Sequence, residues 1–255
     1  MALDDFILHG VDKQVFIHNG LRYAFYYKID GHEMKCSRTV KNLKDYMAMI
    51  KKKLIPNYLF NNRSVPRASR MRIKNLSKSQ RIYLQQFLFR EKKVIRMGVE
   101  ESSIPRLVDD VFKNFKKAGV SRKPNHDPVL NYILRKDDRS IAIEMPVWRE
   151  GTSVSNCLTG HIDLVQLIQD KINDVYEIRV CDYKPEGENK FLFPIPQVAL
   201  YGLMLRDRIK KGDDALINCY IFDRKAIWKF SPDILHDIDA IVSRFKIERD
   251  WNGFI

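Results

Sequence analysis

The segments GHIDLV (residues 160–165) and VCDYK (residues 180–184) each hold one acidic residue inside a run that is otherwise largely apolar. Runs of this kind, rich in Ile, Val and Leu, predict β-strands. An unpaired carboxylate is costly inside an apolar strand. If Asp163 and Asp182 lie on neighbouring strands, a hard divalent cation with oxygen ligands would relieve that cost.

Lys184 follows Asp182 by two positions, so both side chains project from the same face of one strand. A lysine beside metal-bound carboxylates can orient a water near a phosphate or help to deprotonate it. Gln197 and Tyr201 are spaced i and i+4 on a predicted helix and share one of its faces. There they could hydrogen-bond a strand backbone or an active-site carboxylate. Together these groups indicate metal-assisted phosphodiester hydrolysis.

The elements around these residues predict a mixed sheet. Helices are expected at residues 77–90, 104–117, 127–135, 195–210 and 232–248, and strands at 140–148, 158–169, 175–183, 215–222 and 226–230. The order of helix, three strands, helix and strand indicates an α/β (α+β) fold, with a mixed central sheet flanked by helices.

Four short pieces occur in order between residues 144 and 201. They are Glu144 in IEMPV, Asp163 in GHIDLV, Asp182-Tyr183-Lys184, and Gln197 to Tyr201 in QVALY. In this order the sequence resembles the PD-(D/E)XK nuclease superfamily, specifically its RecB-like exonuclease branch. The resemblance covers residues 95–230 and implies a restriction-endonuclease-like core.

The resemblance implies a Mg²⁺ or Mn²⁺ site. Asp163 and Asp182 would be ligands of the cation, helped by the main-chain carbonyl of Tyr183. Lys184 would position the nucleophilic water and stabilise the phosphorane-like transition state. Glu144 would be an auxiliary ligand or orient a metal-bound water; the alternative is a salt bridge at a strand end.

Further positions follow from the same resemblance. Gln197 and Tyr201 would steady the active site and touch the DNA backbone, although helix-to-sheet packing alone also explains Tyr201. Relatives often carry a histidine or glutamate on a helix before the first strand. Glu101 (or Glu100) is the preferred candidate for that position, where it would be a metal ligand, and His126 is the second candidate.

Other cysteines and histidines are interpreted as structural. Some relatives hold an iron–sulfur cluster, but the spacing of the cysteines here does not match theirs, so no cluster is expected. Cys157 and Cys181 are predicted to pack on strands. His161 is interpreted as non-catalytic, either because it points to the opposite face or because it is off-register. The cysteines are Cys36, Cys157, Cys181 and Cys219.

The net charge of +13 comes from one part of the chain. Residues 51–96 hold 14 Lys and Arg and one acid, Glu91, whereas the rest of the chain holds 31 of each sign. Aromatic residues are interleaved with these bases, as in surfaces that bind unpaired nucleic acid. The alternative is a solvated face above core aromatics. The composition favours a polyanion partner, with DNA expected.

Three parts are expected along the chain: a small N-terminal unit (1–53), a basic linker and helix (54–96) and the nuclease core (97–255). Strands at 14–18, 21–29 and 33–37 followed by a helix at 41–53 would make the first part a β-β-β-α unit. It resembles the arm-type DNA-binding domains of phage integrases. The alternative is an extension of the main sheet.

The sequence therefore predicts a metal-dependent deoxyribonuclease, an exonuclease acting on single strands or ends. The alternatives are a non-catalytic nucleic-acid-binding protein on a nuclease scaffold, and a sequence- or structure-specific endonuclease of the same superfamily. Without an apolar run of about 18 residues or a signal pattern, no membrane partner is expected. A cytoplasmic location is expected, or the host cytoplasm for a viral protein, and the composition leans toward a phage or archaeal source. No segment identifies an oligomer interface or a replication or recombination partner.

Overall fold

The computed structural model describes residues 10–29, 40–100, 102–170, 175–209 and 215–255. Eight strands form its sheet: β1 (Val11–His18), β2 (Leu21–Lys28), β3 (Val94–Met97), β4 (Ser140–Arg149), β5 (Leu158–Asp170), β6 (Val175–Tyr183), β7 (Ala215–Phe222) and β8 (Ile227–Phe230).

Helices flank this sheet in the described residues. They are α1 (Lys41–Lys51), α2 (Asn57–Asn61), α3 (Lys78–Arg90), α4 (Ser103–Lys117), α5 (His126–Lys136), α6 (Gly187–Lys190), α7 (Ile195–Ile209) and α8 (Ile234–Arg244). Short 3₁₀ turns lie at Ala68–Arg70, Val154–Asn156 and Asn252–Phe254. None of the helices in these ranges is long and apolar enough to cross a membrane.

The sheet is mixed, with the strand order β1-β2-β4-β5-β6-β7-β8-β3. Only β6 and β7 are parallel among the paired strands, and α7 makes the connection between them. A parallel pair needs such a crossover, whereas antiparallel neighbours can be joined by a short turn. The expected mixed α/β fold, a sheet flanked by helices, is therefore confirmed.

The N-terminal hairpin belongs to this sheet. In β2, Tyr26 and Tyr27 pair with Ile143 and Ala142 of β4, so β1 and β2 extend the sheet at one edge. That placement agrees with the sheet-extension alternative for residues 14–29. The third strand expected at 33–37 lies outside the described residues, as does Cys36.

Residues 54–75 run over the molecule as an extended wrap. Buried apolar side chains anchor this segment, among them Phe60 and Ile73. The main chain is held as well, because Thr159 N donates to Pro66 O and Ile73 N donates to Phe193 O. The segment predicted as a basic linker or wrap is thus packed against β5 and the approach to α7.

Two apolar clusters cover the two faces of the sheet. Alternate residues of β6 separate them: Ile178 and Val180 belong to the larger cluster around α7, and Cys181 and Tyr183 to the smaller one around α4 and α5. Successive strand residues point to opposite faces, so this alternation gives the orientation of every side chain on β6. Asp182 accordingly faces α7.

Candidate functional site

Strands β4 and β5 change faces at the same point along the sheet. Ile143 pairs with Leu164, and both pack in the cluster around α4 and α5. The next pair, Met145 and Ile162, packs in the cluster around α7. Because residues two apart share a face in a regular strand, both strands depart from regular geometry between these pairs.

Glu144 and Asp163 are the residues at this break. Glu144 has a φ of 53°, in the left-handed region that non-glycine residues rarely adopt. Backbone strain of this kind is concentrated at functional sites. Asp163 is directed toward the end of β6, where its Oδ2 accepts a 3.0 Å hydrogen bond from the Tyr183 N–H. The break thus links the Asp163 carboxylate to the Asp182-Tyr183-Lys184 segment.

Asp182 and Lys184 lie side by side on β6, as the strand period predicts. Asp182 is fully buried, and the Lys184 side chain is 18% exposed, with its Nζ 2.5 Å from Asp182 Oδ2. This ion pair lacks hydrogen-bond geometry, and within the described residues Asp182 Oδ2 accepts no hydrogen bond. Asp182 Oδ2 is therefore buried without a hydrogen bond and is stabilised only by the positive charge of Lys184.

Helix α7 supports Asp182 from the neighbouring layer. Gln197 Nε2 donates to Asp182 Oδ1 at 3.0 Å and to the Tyr201 hydroxyl at 3.2 Å. The Tyr201 ring in turn packs on Gly160, where an added Cβ would lie 2.3 Å from Tyr201 Cε1. Gly160 therefore permits the close approach of the tyrosine to β5.

His126 joins the site from the first turn of α5. Its Nε2 lies 3.7 Å from Asp163 Oδ2, and its ring meets the edge of Tyr183 with centroids 5.3 Å apart. Glu101, the preferred candidate for this role, lies outside the described residues, and Glu100 is exposed. His126, the second candidate, is the one brought to the site.

Glu144, Asp163 and Asp182, here called the acidic cluster, repel one another in a buried setting. Burial and the negative charges of Asp127 and Asp182 raise the pKa of Glu144 to about 7. Burial and Asp182 raise the pKa of Asp163 well above its ordinary value, and Lys184 only partly opposes them. When all three are ionised, the cluster has more negative charge than Lys184 can balance, and a bound cation would stabilise that ionised state.

The acidic cluster suits a divalent cation that takes only a few of its ligands from the protein. In the described part of the chain, no three His, Cys, Asp or Glu side chains are arranged to hold a metal ion. Mg²⁺, however, commonly uses one or two carboxylates and keeps water or substrate phosphate oxygens as its other ligands. Asp163, Asp182 and the carbonyl of Tyr183 supply oxygen donors of that kind.

His161 and the described cysteines make their contacts with residues outside the acidic cluster. His161 Nε2 is 3.1 Å from His18 Nδ1, and its ring stacks on Tyr23 at 4.1 Å. Three cysteines are free and buried, namely Cys157, Cys181 and Cys219. Burial lowers the pKa of His161 well below its usual range, so the ring is neutral near pH 7.

One feature of the site has no local signal in the sequence. The left-handed backbone at Glu144 occurs at a residue type that does not favour it. A basic groove near His126, described below, does have a local signal, because Lys113, Lys116, Arg122 and Lys123 lie between residues 113 and 123. Comparisons with protein families, curated proteins and solved structures find no match to this chain. The geometry of the site therefore carries the functional inference.

Proposed function

We propose that this protein is a Mg²⁺- or Mn²⁺-dependent deoxyribonuclease of the PD-(D/E)XK superfamily, an exonuclease of its RecB-like branch that acts on single strands or ends. One observation carries the proposal: Asp163, Asp182 and Lys184 converge on adjacent strands, with Tyr183 N–H bound to Asp163 and Lys184 Nζ beside Asp182. The carboxylates supply cation ligands, and the lysine supplies a positive charge for a phosphate.

The topology gives further support. Helix α5, strands β4 to β6, helix α7 and strand β7 follow the order that a restriction-endonuclease-like core requires. The strands pair in the order antiparallel, antiparallel and parallel. The carboxylates at the break of β4 and β5, and at the end of β6, then lie within one continuous piece of sheet.

The chain's own groups have separate tasks in this proposal. Asp163, Asp182 and the carbonyl of Tyr183 would hold the cation, which when bound supplies Lewis-acid stabilisation of the phosphate and a lowered pKa for water. Gln197 holds Asp182 Oδ1, which leaves Oδ2 free of hydrogen bonds and directed toward Lys184. Glu144 would orient water or add an oxygen ligand.

Lys184 would act on the reacting phosphate. Its ammonium group positions the attacking water and stabilises the negative charge that develops on the phosphate oxygens. The water oxygen forms a bond to phosphorus as the P–O3′ bond breaks in line. The water gives up its proton to solvent, and the 3′ oxygen takes up a proton as it leaves as a hydroxyl group.

Cleavage of end-labelled DNA in Mg²⁺ or Mn²⁺ tests the proposal. Asp182→Asn and Lys184→Met are expected to lower the rate by about a hundredfold or more, because each removes a group that stabilises the transition state. Lys93→Met is a matched control, since Lys93 pairs with Asp237 at 3.0 Å on the far edge of the sheet. Wild-type rates in Asp182→Asn and Lys184→Met would contradict the proposal.

Circular and linear substrates separate the nuclease types. An exonuclease leaves closed circular single strands intact and degrades linear ones, whereas an endonuclease cuts both. A binding-only protein cuts neither, although it would still bind DNA in chelator. The intact Asp163, Asp182 and Lys184 favour catalysis over binding alone, because a binding scaffold has no use for a strained, repulsive cluster.

A further inference from the structure

A groove of about 530 Å³ lies at the C-terminal end of α4. Its walls come from the C-terminal half of α4, the segment between α4 and α5, and the turn between β7 and β8. Five basic side chains line it: Lys113, Lys116, Arg122, Lys123 and Arg224. Four of these bases lie between residues 113 and 123, and only Arg224 comes from a distant part of the sequence.

Most of the positive charge in this groove is uncompensated. Lys113 pairs with Asp109 at 2.9 Å. Within the described residues, Lys116, Arg122 and Lys123 are exposed and form no salt bridge. Lys190 and, to a smaller extent, Lys123 lower the pKa of Glu186. Exposed cations without a salt bridge, such as Lys116 and Arg122, keep their charge available for a polyanion.

The basic segment at residues 51–96 differs from the groove in this respect. Several of its bases are paired with acids from distant parts of the chain: Lys74 with Asp250, Lys93 with Asp237 and Arg96 with Glu188. The fold therefore neutralises part of the charge excess that the linear sequence places there.

Two short chain segments connect the walls of the groove with the site. Pro124, on its wall, precedes His126 by two residues, and His126 Nε2 is 3.7 Å from Asp163 Oδ2. On the other side, Lys184 N donates to Phe222 O at 2.9 Å, two residues before Arg224. A strand lying in the groove would thus lead directly to Lys184 and the acidic cluster.

We propose that this groove binds the phosphodiester backbone of the nucleic acid strand next to the phosphate at Lys184. The inference rests on the proposed function and adds the path of the substrate. An acidic cluster repels DNA, so neighbouring cations are needed to draw the backbone toward it. Lys and Arg do so by neutralising phosphates and releasing their counterions.

The test is the salt dependence of binding of a labelled single-stranded oligonucleotide, measured in EDTA so that cleavage plays no part. The double variant Arg122→Gln/Lys123→Gln removes two groove charges. The matched control Arg244→Gln/Lys246→Gln removes one exposed arginine and one exposed lysine that lie outside both the groove and the segment at residues 51–96.

Loss of two phosphate contacts is expected to reduce the slope of log K against log salt by about 1.4 in the groove variant. The control is expected to keep a slope near that of the wild type. Equal slopes in all three proteins, a larger change in the control, or no binding by the wild type would overturn the groove assignment. If the groove variant changed the slope in EDTA but the wild type cut no DNA in Mg²⁺ or Mn²⁺, the groove assignment would stand and the nuclease proposal would fail.

Discussion

The side chain of Gln197 is bound to Asp182 across the interface between α7 and β6. Its Nε2 donates to Asp182 Oδ1 at 3.0 Å, and both residues are buried. The same nitrogen donates to the Tyr201 hydroxyl at 3.2 Å. Asp182 is therefore fixed by an uncharged side chain of α7, which matches the orienting role expected of a ligand's hydrogen-bond partner.

Replacing Gln197 is expected to lower both the stability of the protein and its cleavage rate. Gln197→Leu leaves Asp182 Oδ1 buried without its donor, at a cost of about 1–3 kcal/mol in the free energy of unfolding. Loss of orientation should also lower the cleavage rate by about 10- to 100-fold. Urea unfolding and end-labelled DNA cleavage measure the two effects.

Gln166 provides the control. It is buried to a similar extent and its Nε2 donates to Asp137 Oδ2 at 2.6 Å. Gln166→Leu is expected to lower stability by a similar amount while the cleavage rate of the folded protein stays at the wild-type value. If both variants lost activity in proportion to their stability, Gln197 would have only a structural role.

Gly160 is predicted to tolerate no side chain. An added Cβ would lie 2.3 Å from Tyr201 Cε1, so Gly160→Ala must displace the ring. We expect a loss of about 1–3 kcal/mol in the free energy of unfolding, as for other overpacked sites. The double variant Gly160→Ala/Tyr201→Leu should lose less than the sum of the single changes, since the clash has been removed.

The control for this substitution is Gly253→Ala, where an added Cβ meets nothing within 4 Å. Chemical unfolding should show a change of less than about 0.5 kcal/mol for that variant. Additive losses in the double variant would mean that the clash at Tyr201 is not the cause of the instability.

Much of the sheet could be predicted from local pattern. The bounds expected for β6 and β7 are those observed, and the C-terminal halves of both strands, residues 180–183 and 219–222, are buried on both faces. The face shared by Asp182 and Lys184 follows from the strand period alone. The four-residue edge strand β3 was missed, since only Val94 in it is buried and no apolar run marks it.

Relationships between distant residues could not be predicted in this way. Tyr26 pairs with Ile143 across more than a hundred residues, and no local pattern specifies that partner. The charge excess at residues 51–96 is likewise reduced in the fold by acids such as Asp237 and Asp250. Sequence counts measure charge along the chain, whereas a polyanion responds to charge on the surface.

Divalent cations are expected to stabilise the protein against heat. Burial and Asp182 raise the pKa of Asp163, so its ionised form is disfavoured until a cation balances it. Mn²⁺ at about a hundredfold excess over its Kd should raise the Tm by about 5–10 °C. Asp163→Asn removes one of the repelling charges, so in EDTA this variant should be at least as stable as the wild type. It also removes a ligand of the cation, so the Tm of the variant should respond only weakly to Mn²⁺.

Asp237→Asn is the control for the metal response. Asp237 pairs with Lys93 outside the acidic cluster, so this variant should keep the full increase in Tm with Mn²⁺. Differential scanning fluorimetry with and without EDTA measures all three proteins. An equal Mn²⁺ response in wild type and Asp163→Asn would contradict a cation site at Asp163.

Glu177 on β6 is the centre of a second charged network, away from the acidic cluster. Its carboxylate lies 2.8 Å from Arg179 Nε and 2.8 Å from Lys229 Nζ, and accepts a 2.6 Å hydrogen bond from the Tyr220 hydroxyl. Burial acts to raise the pKa of Glu177, but Arg179 and these other partners outweigh it and hold the pKa at about 2.

This network should make stability depend on pH in acid. A carboxyl group whose pKa is lowered by folding contributes stability above its unfolded value of 4.5, and that contribution is lost as the pH falls toward about 2. Glu177→Gln should therefore lower the free energy of unfolding at pH 7 by about 1–2 kcal/mol, allowing for solvent screening. In this variant the free energy of unfolding should also fall less steeply below pH 4.5. Glu248→Gln, at an exposed position, should leave the pH profile of urea unfolding unchanged. Parallel profiles for wild type and Glu177→Gln would show that this carboxylate does not couple folding to protonation.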